Sequence, residues 1–338
     1  MSGRLVQARS VASAVALLLV AMVGAVWAAP AARADSVRAA QWYLDVWHME
    51  EVWKSSKGAG VTVALIDSGV DATHPDLAGQ VLAGPMGAGD DGAGHGTGMA
   101  GLIAGLGRGN GGQGVYGVAP SVKILPFRTY LSDNSMMPGA VEKAIRLAAD
   151  SPARIINLSL GTGTAVPDMR EAVAYAQRKG KLVVAAAGNT PDNSRDVPVY
   201  PAAYPGVVGV SALTRKGSMA SNGVPGSWVS LSAPGADTPS ACISETRYCM
   251  GTGSSGAAAL TSGVAALVWS VHPDWTANQV IQRLLDTANR PDEPVPSDTF
   301  GWGSVSPRKA LASTDPPGPA DVNPLVGKRG DAPTTAPA

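Results

Sequence analysis

Three short stretches of the chain carry an acid, a base and a hydroxyl in an order that suits nucleophilic acyl transfer. "VTVALID" is an apolar, β-branched run ending in Asp67, and "GAGHGTGMAGLIAG" sets His95 among small residues. "GTGSSG", Gly251 to Gly256, puts Ser254 and Ser255 at the mouth of an apolar helix. A serine attacks a carbonyl only when a neighbouring base takes its proton, and that base works best when an acid orients it. The chain has four histidines: His48, His74, His95 and His272. His48 falls in an N-terminal segment, His74 in the turn "DATHPDL" and His272 in the turn "HPDW", so His95 is the expected base. Asp67 is the expected acid, because a carboxylate at a buried strand end is costly unless it is paired or hydrogen-bonded. Asp90 and Asp91 compete for His95, but they lie in the glycine loop "GAGDDGAGHG", where solvated carboxylates are expected. "VVAAAGN" brings Asn189 just past another strand end, where its amide would serve a developing oxyanion; an ordinary turn residue is the alternative.

"GTGSSG" also satisfies the G-x-G-x-x-G pattern of a dinucleotide-binding turn. Such a turn must follow a strand, open a helix and be answered about twenty residues later by an acid ending a second strand. Here "SACISETRYCM" precedes it and is polar, while Asp274 begins a helix instead of ending a strand. No lysine stands where a phosphate loop needs one, so the context argues for a serine site.

Groups that must meet need elements that hold them. The apolar strand type of "VTVALID" recurs in "VKILPFR", "ARIINLSL", "KLVVAAAGN" and "GVVGVSAL". Fully apolar strands are typical of a parallel sheet covered on both faces. Helical patterns such as "MPGAVEKAIRLAAD" and "VPDMREAVAYAQRKG" alternate with them, which argues for an α/β fold with right-handed crossovers. Ligand and catalytic groups are then expected at the carboxyl ends of the strands. "SSGAAALTSGVAALVWSVH" is small and apolar all round, as a buried central helix would be, whereas "DWTANQVIQRLLDTA" is amphipathic.

The 338 residues, 45% hydrophobic, suffice for one large domain, and Lys+Arg 26 against Asp+Glu 26 favours no nucleic-acid partner. Residues 1–34 read as a signal peptide: Arg4 and Arg9, an apolar stretch from Val11 to Ala28, then Ala32-Arg33-Ala34 before Asp35. The apolar stretch is long, so an uncleaved anchor stays open; either outcome places the chain outside the cytoplasm. Cys242 and Cys249 flank "ISETRY", and in an oxidising compartment they are expected to close a disulfide loop. No metal site is expected. Residues 35–58 read as an N-terminal extension or short prosegment that packs on a domain of residues 59–313. Residues 314–338 are Pro-rich with almost no apolar periodicity, hence an expected disordered tail with no C-terminal membrane anchor.

Asp-Ser-Gly after an apolar strand, Gly-His-Gly-Thr, Ala-Gly-Asn and a small-residue serine loop feeding a helix resemble, in this order, the subtilisin-like serine proteases of peptidase family S8. The resemblance runs from about Trp42 to Ala310 and includes "HPDL", "GVAP", "NLSLG", "YPAAYPGVVGV" and "SAPG". It implies a three-layer sandwich with a mainly parallel central sheet and helices on both faces. It implies a triad of Asp67, His95 and a serine, with Asn189 as oxyanion donor. It also implies an extended peptide substrate pairing with Ser159, Leu160 and Gly161, opposite Ala187 and Gly188. The family's serine segment reads G-T-S-M-A-[AT]-P-[HY]-V-[AS]-G, and anchoring its last glycine on Gly263 makes Ser255 the nucleophile, with Ser254 in place of threonine. Helix phase separates the two serines, since one residue turns a side chain by about 100°.

The sequence departs from the family at Gly256, where methionine or phenylalanine is usual, at Ala259-Leu260, and at Gly98, which replaces a second histidine. These changes keep the chemical groups and loosen their support, so an impaired enzyme is also an open reading. The short N-terminal extension, small disulfide loop and Pro-rich tail resemble the mycosins of type VII secretion. That resemblance implies secretion-system membrane components as partners. No acidic residue lies near "AAAGN" or "SLGTG", so small or apolar side chains are the expected specificity. A structural calcium ion is compatible with the family, and no residue pattern here calls for one.

Overall fold

The computed structural model describes residues 37–130, 135–189 and 197–327. The expected signal peptide lies outside them. Six strands form one parallel sheet: β1 Thr62–Asp67, β2 Lys123–Arg128, β3 Ile155–Leu158, β4 Leu182–Ala186, β5 Val208–Leu213 and β6 Leu231–Pro234, in the order β2-β1-β3-β4-β5-β6. After β1 the chain first moves outward to β2 and then returns to the other side of β1 for β3, so the order reverses at the strand that ends in Asp67. In open α/β sheets that reversal is where ligands bind.

Alternation along each strand divides the interior in two. Val63 and Leu65 of β1 point into a core with Leu182, Val184, Val208 and Val210; Ala64 and Ile66 point into the other with Ile156, Leu158 and Val183. The first core is roofed by helices His95–Ala104, Ser254–Val271 and Ala277–Asp286, the second by Ala140–Asp150 and Pro167–Arg178. This is the expected α/β three-layer sandwich. Helix Ser254–Val271 is long and apolar enough to cross a membrane, but most of its residues are buried between the sheet and its neighbours.

Three features differ from the expectation or were not foreseen. Strand β6 was not foreseen, because its four residues, "LSAP", carry no run of apolar residues. Its outer edge is covered by residues 303–305, through Ser232 N–H to Gly303 O and Val305 N–H to Ser232 O. The segment from Val37 to Ser55 is more than a surface wrap. Trp42, Tyr43, Leu44, Trp47, Met49 and Val52 join the first core, and Gln41 pairs both ends of its amide with the Tyr116 backbone, at 2.7 and 2.9 Å. Residues 314–327, expected as disordered, are bound along helix Ala277–Asp286. Arg283 donates to Ser313 O and Asp315 O, Thr276 Oγ1 to Ala320 O, and Leu325 packs on the core. Side chains meeting main-chain carbonyls leave no hydrophobic period, which is why composition alone pointed to disorder.

A hairpin of β7 Thr238–Ala241 and β8 Tyr248–Gly251 follows the sheet, and its tip is closed by the Cys242–Cys249 disulfide.

Candidate active site

The carboxyl end of β1 delivers Asp67, 1% exposed, and the turn at Gly94 starts a helix with His95 as its first residue. Gly94 adopts φ +80°, a left-handed conformation that costs glycine nothing and turns the imidazole towards the strand end. Asp67 Oδ1 accepts from His95 Nδ1 at 2.8 Å and from Ser68 N–H at 2.8 Å, while Oδ2 is buried without a hydrogen-bond partner among the described residues. An ionised carboxylate only accepts, so Nδ1 carries the proton and Nε2 of the neutral ring is left as the acceptor. The Asp67 charge holds His95 above its ordinary value; burial opposes this and Asp91 adds to it.

Asp91 departs from expectation. It is buried, not solvated, and accepts four hydrogen bonds: from Ser68 Oγ at 2.7 Å, Gly94 N–H at 2.8 Å, Thr97 N–H at 2.8 Å and Thr97 Oγ1 at 2.6 Å. Gly96 N–H donates to Ser68 Oγ at 2.9 Å. Three of the N–H groups that the first turn of a helix cannot satisfy internally, those of Gly94, Gly96 and Thr97, are thus met by Asp91 and Ser68, with an anion at the positive end of the helix. An acid just ahead of a helix start is a capping signal, and that signal was available in the sequence. Asp90 is exposed and pairs with Arg128 at 2.8 Å.

The two adjacent serines differ sharply. Ser254 is fully buried; its Oγ accepts from Gly188 N–H at 3.1 Å and its N–H donates to Asn189 Oδ1 at 2.8 Å. Ser255 is partly exposed and borders two cavities. Its hydroxyl donates to Ser159 O at 3.1 Å, and its carbonyl accepts from Ser159 Oγ at 3.0 Å. Behind this pair, Ser262 Oγ donates to Asn157 Oδ1 at 2.9 Å, and Asn157 Nδ2 donates to Ser159 Oγ at 2.9 Å. A buried polar relay therefore ties the middle of the central helix, through β3, to the Ser255 carbonyl. This is support of a kind that does not depend on a side chain at Gly256.

Asn189 follows β4 and stands beside both cavities. With Oδ1 taken by Ser254 N–H, its Nδ2 is the donor left for a ligand. A Cβ at Gly253 would lie 2.8 Å from that nitrogen, so the approach of the serine loop to the Asn189 amide requires glycine there.

The first cavity, of about 350 Å³, has His95, Ser255 and Asn189 on its rim and the disulfide hairpin as its far wall. The second, of about 380 Å³, runs between Ser159, Leu160 and Gly161 on one side and Gly188 on the other. Ala187 is not among its walls: it is fully buried, its carbonyl accepting from Trp228 Nε1 at 2.8 Å and its N–H donating to Val210 O at 3.0 Å. Ala186 lines the cavity in its place. Alternation along β4 puts Ala186 on the same face as Leu182 and Val184, and Ala187 is the first residue past the strand.

Two of the other three histidines are engaged elsewhere. His74 is buried, with Nε2 2.9 Å from Arg247 O and Nδ1 accepting from Asp76 N–H, and His272 stacks on Trp275. Among the described residues no group of three His, Cys, Asp or Glu side chains stands together as metal ligands.

Residues 58–303 match the subtilase family, Peptidase_S8. A thermophilic serine proteinase of Bacillus sp. (strain AK1) is 39% identical over 233 residues, 66% of this chain and 56% of that protein, so the chain spans little more than half that relative's length. Thermitase of Thermoactinomyces vulgaris is 36% identical over 225 residues, 65% of this chain and 78% of that protein. Among solved structures, MycP1 from Mycobacterium smegmatis superposes with a TM-score of 0.72 at 29% identity, covering 83% of this chain and 86% of that one. The MycP3 protease from the type VII (ESX-3) secretion system gives 0.69 at 34% identity, covering 81% and 88%.

Proposed function

The chain belongs to the subtilase family, and from that premise we propose that it is an exported serine endopeptidase that hydrolyses peptide bonds through an acyl-enzyme on Ser255. The observation that carries this reading is the 2.8 Å contact between Asp67 Oδ1 and His95 Nδ1, on the rim of the cavity that Ser255 and Asn189 share. Ser255 rotates away from the Ser159 carbonyl and gives its proton to His95 Nε2 as Oγ attacks the scissile carbonyl. Asp67 stabilises the imidazolium that forms. Asn189 Nδ2 and the Ser255 N–H, at the positive end of the central helix, meet the oxyanion. The imidazolium then protonates the leaving amine, and water repeats the sequence to release the acid.

The substrate lies extended along residues 159–161 and gains affinity through main-chain pairing. The second cavity takes the side chain on the acyl side of the scissile bond. Gly161, Val199 and Val224 are among its walls, and none of its described lining residues is acidic, which favours small or apolar groups. Likeness to MycP1 and MycP3 supports a place beside a type VII secretion system, with exported proteins as substrates and membrane components of that system as partners. The Cys242–Cys249 disulfide supports an extracytoplasmic location.

One observation favours a second reading, a peptide-binding component without turnover: the Ser255 hydroxyl is bonded to Ser159 O. A fluorophosphonate probe separates the two. Wild type and Ser254→Ala are expected to label, and Ser255→Ala not. An unlabelled wild type removes the enzyme reading; label that survives Ser255→Ala but not Ser254→Ala transfers the nucleophile to Ser254.

A further inference from the structure

The cavity behind His95 owes its space to three glycines. Gly98 lies in the first turns of the His95 helix, Gly256 follows Ser255, and Gly251 ends β8. None of the three has a positive φ, so the backbone does not call for glycine at any of them. Nor does crowding. A Cβ at Gly256 would stand 3.4 Å from Leu102 Cδ1 and Thr238 Oγ1, and one at Gly251 would have a single neighbour at 3.9 Å. At Gly98 a Cβ would meet Ser240 Oγ at 3.2 Å, a hydroxyl that can turn. Glycine inside a helix is destabilising relative to alanine, and two of these positions are helical. What the missing side chains leave is room, floored by the buried Leu102, Met99 and Ala241. Among the described residues no Asp, Glu, Lys or Arg lines it.

Chemistry decides which half of a substrate enters. The amine released in acyl transfer must take its proton from His95. Its nitrogen therefore sits between Ser255 Oγ and the imidazole, and the residue carrying it continues on the His95 side. The cavity with His95 on its rim is the glycine-built one; the cavity along Ser159–Gly161 does not include His95. We propose that Gly98, Gly251 and Gly256 form a pocket for the side chain immediately after the scissile bond, and that it selects large apolar residues such as leucine, methionine and phenylalanine. This rests on Ser255 being the nucleophile. The Cys242–Cys249 bond closes the hairpin, and both of its cysteines line the pocket.

Partition of the acyl-enzyme tests this directly. A p-nitrophenyl ester of a protected amino acid acylates Ser255, and amino-acid amides compete with water for the acyl group. In each capture the amine nitrogen bonds to the acyl carbon and the bond from that carbon to Ser255 Oγ breaks. The amine proton passes through His95 to Ser255 Oγ. Leucinamide and phenylalaninamide are expected to capture at least about tenfold more than glycinamide, the scale set by apolar groups in a fitted pocket. Lysinamide and aspartamide are expected to do no better than glycinamide. Gly256→Met and, at the exposed end of the hairpin, Gly251→Leu each bring the leucine-to-glycine ratio towards one. Ester turnover with equal capture of all amides overturns the pocket assignment alone, as does a leucine preference unmoved by both substitutions. No ester turnover in the wild type overturns the Ser255 reading and this inference with it.

Discussion

Asp91 holds Thr97 by both its main-chain N–H and its hydroxyl, at 2.8 and 2.6 Å, and so fixes the helix that His95 begins. The carboxylate touches neither His95 nor the cleft, yet its other oxygen binds Ser68 and Gly94, the residues flanking the acid and the base in sequence. It acts as a positioning residue. Asp91→Ala leaves several buried donors without an acceptor, and a loss of about 2–4 kcal/mol in denaturant unfolding is expected. Asp91→Asn keeps the shape and one acceptor oxygen, so more of the stability returns. If both variants keep wild-type turnover at temperatures where they are fully folded, the positioning role is wrong.

The Asp67 carboxylate, aided by Asp91, holds His95 above its ordinary 6.5. General-base catalysis needs the neutral ring, so kcat/KM is expected to climb with pH along an acid limb centred above that value. The stability term has the opposite sense. A raised folded-state value means that the imidazolium–carboxylate pairing contributes fully below the unfolded value and is lost as pH rises through the folded one. Asp67→Asn removes the main cause, so the limb moves down while kcat falls by roughly 10⁴-fold. A pH–rate series on the two proteins checks both directions; a limb that stays in place after Asp67→Asn removes Asp67 from its role.

What could be read from the sequence followed from period and residue type. Five of the six parallel strands are predominantly apolar runs, and Asp67 and Asn189 stand where two of those runs stop. His95 stood out because three other histidines had turns or termini to explain them. Asp91 is hard to read from sequence because glycines around an acid suggest solvent, whereas here the loop folds over the carboxylate; Gly69, at φ +109°, has no room for a Cβ beside Asp90 O. The pocket walls were harder still. Ala186 ends β4 and lines the cavity while Ala187 follows it and is buried, and four consecutive small residues conceal that difference. In sequence Gly98 and Gly256 suggest weakened support and Gly251 nothing in particular, and only their placement in three dimensions shows that they share one cavity.

Asn189 has two tasks, and two substitutions separate them. Its Oδ1 holds Ser254 N–H at the start of the central helix, and its Nδ2 is the side-chain donor available to an oxyanion. Asn189→Ala loses both and is expected to lower kcat by about 10²–10³-fold with little change in KM. Asn189→Asp retains an acceptor for Ser254 but sets a negative charge against the developing oxyanion. Its thermal stability should therefore lie nearer wild type than that of Asn189→Ala while its kcat is lower still. Equal kcat for the two variants would leave Asn189 only the helix-capping task.

Arg283 makes the residues after Ser313 part of the fold. Its guanidinium is 3% exposed and donates to Ala310 O at 3.2 Å, Ser313 O at 2.6 Å and Asp315 O at 2.6 Å, with its plane over Trp275 at 4.8 Å. A buried cation needs its partners, and a planar fork reaches three carbonyls where an ammonium cannot keep the same directions. A chain ending at Ser313 loses the Asp315 carbonyl together with the Gly318 and Ala320 carbonyls that receive Gln279 and Thr276. It is expected to unfold about 2–3 kcal/mol more easily. Arg283→Lys in the full chain should lose a comparable amount, because charge alone does not rebuild the fork. Combining the truncation with Arg283→Lys should then cost less than the sum, since both remove the same contacts. Fully additive losses in a denaturant series would mean that the segment stabilises the domain independently of Arg283, through Asn323 on Gly206 O and the packing of Leu325.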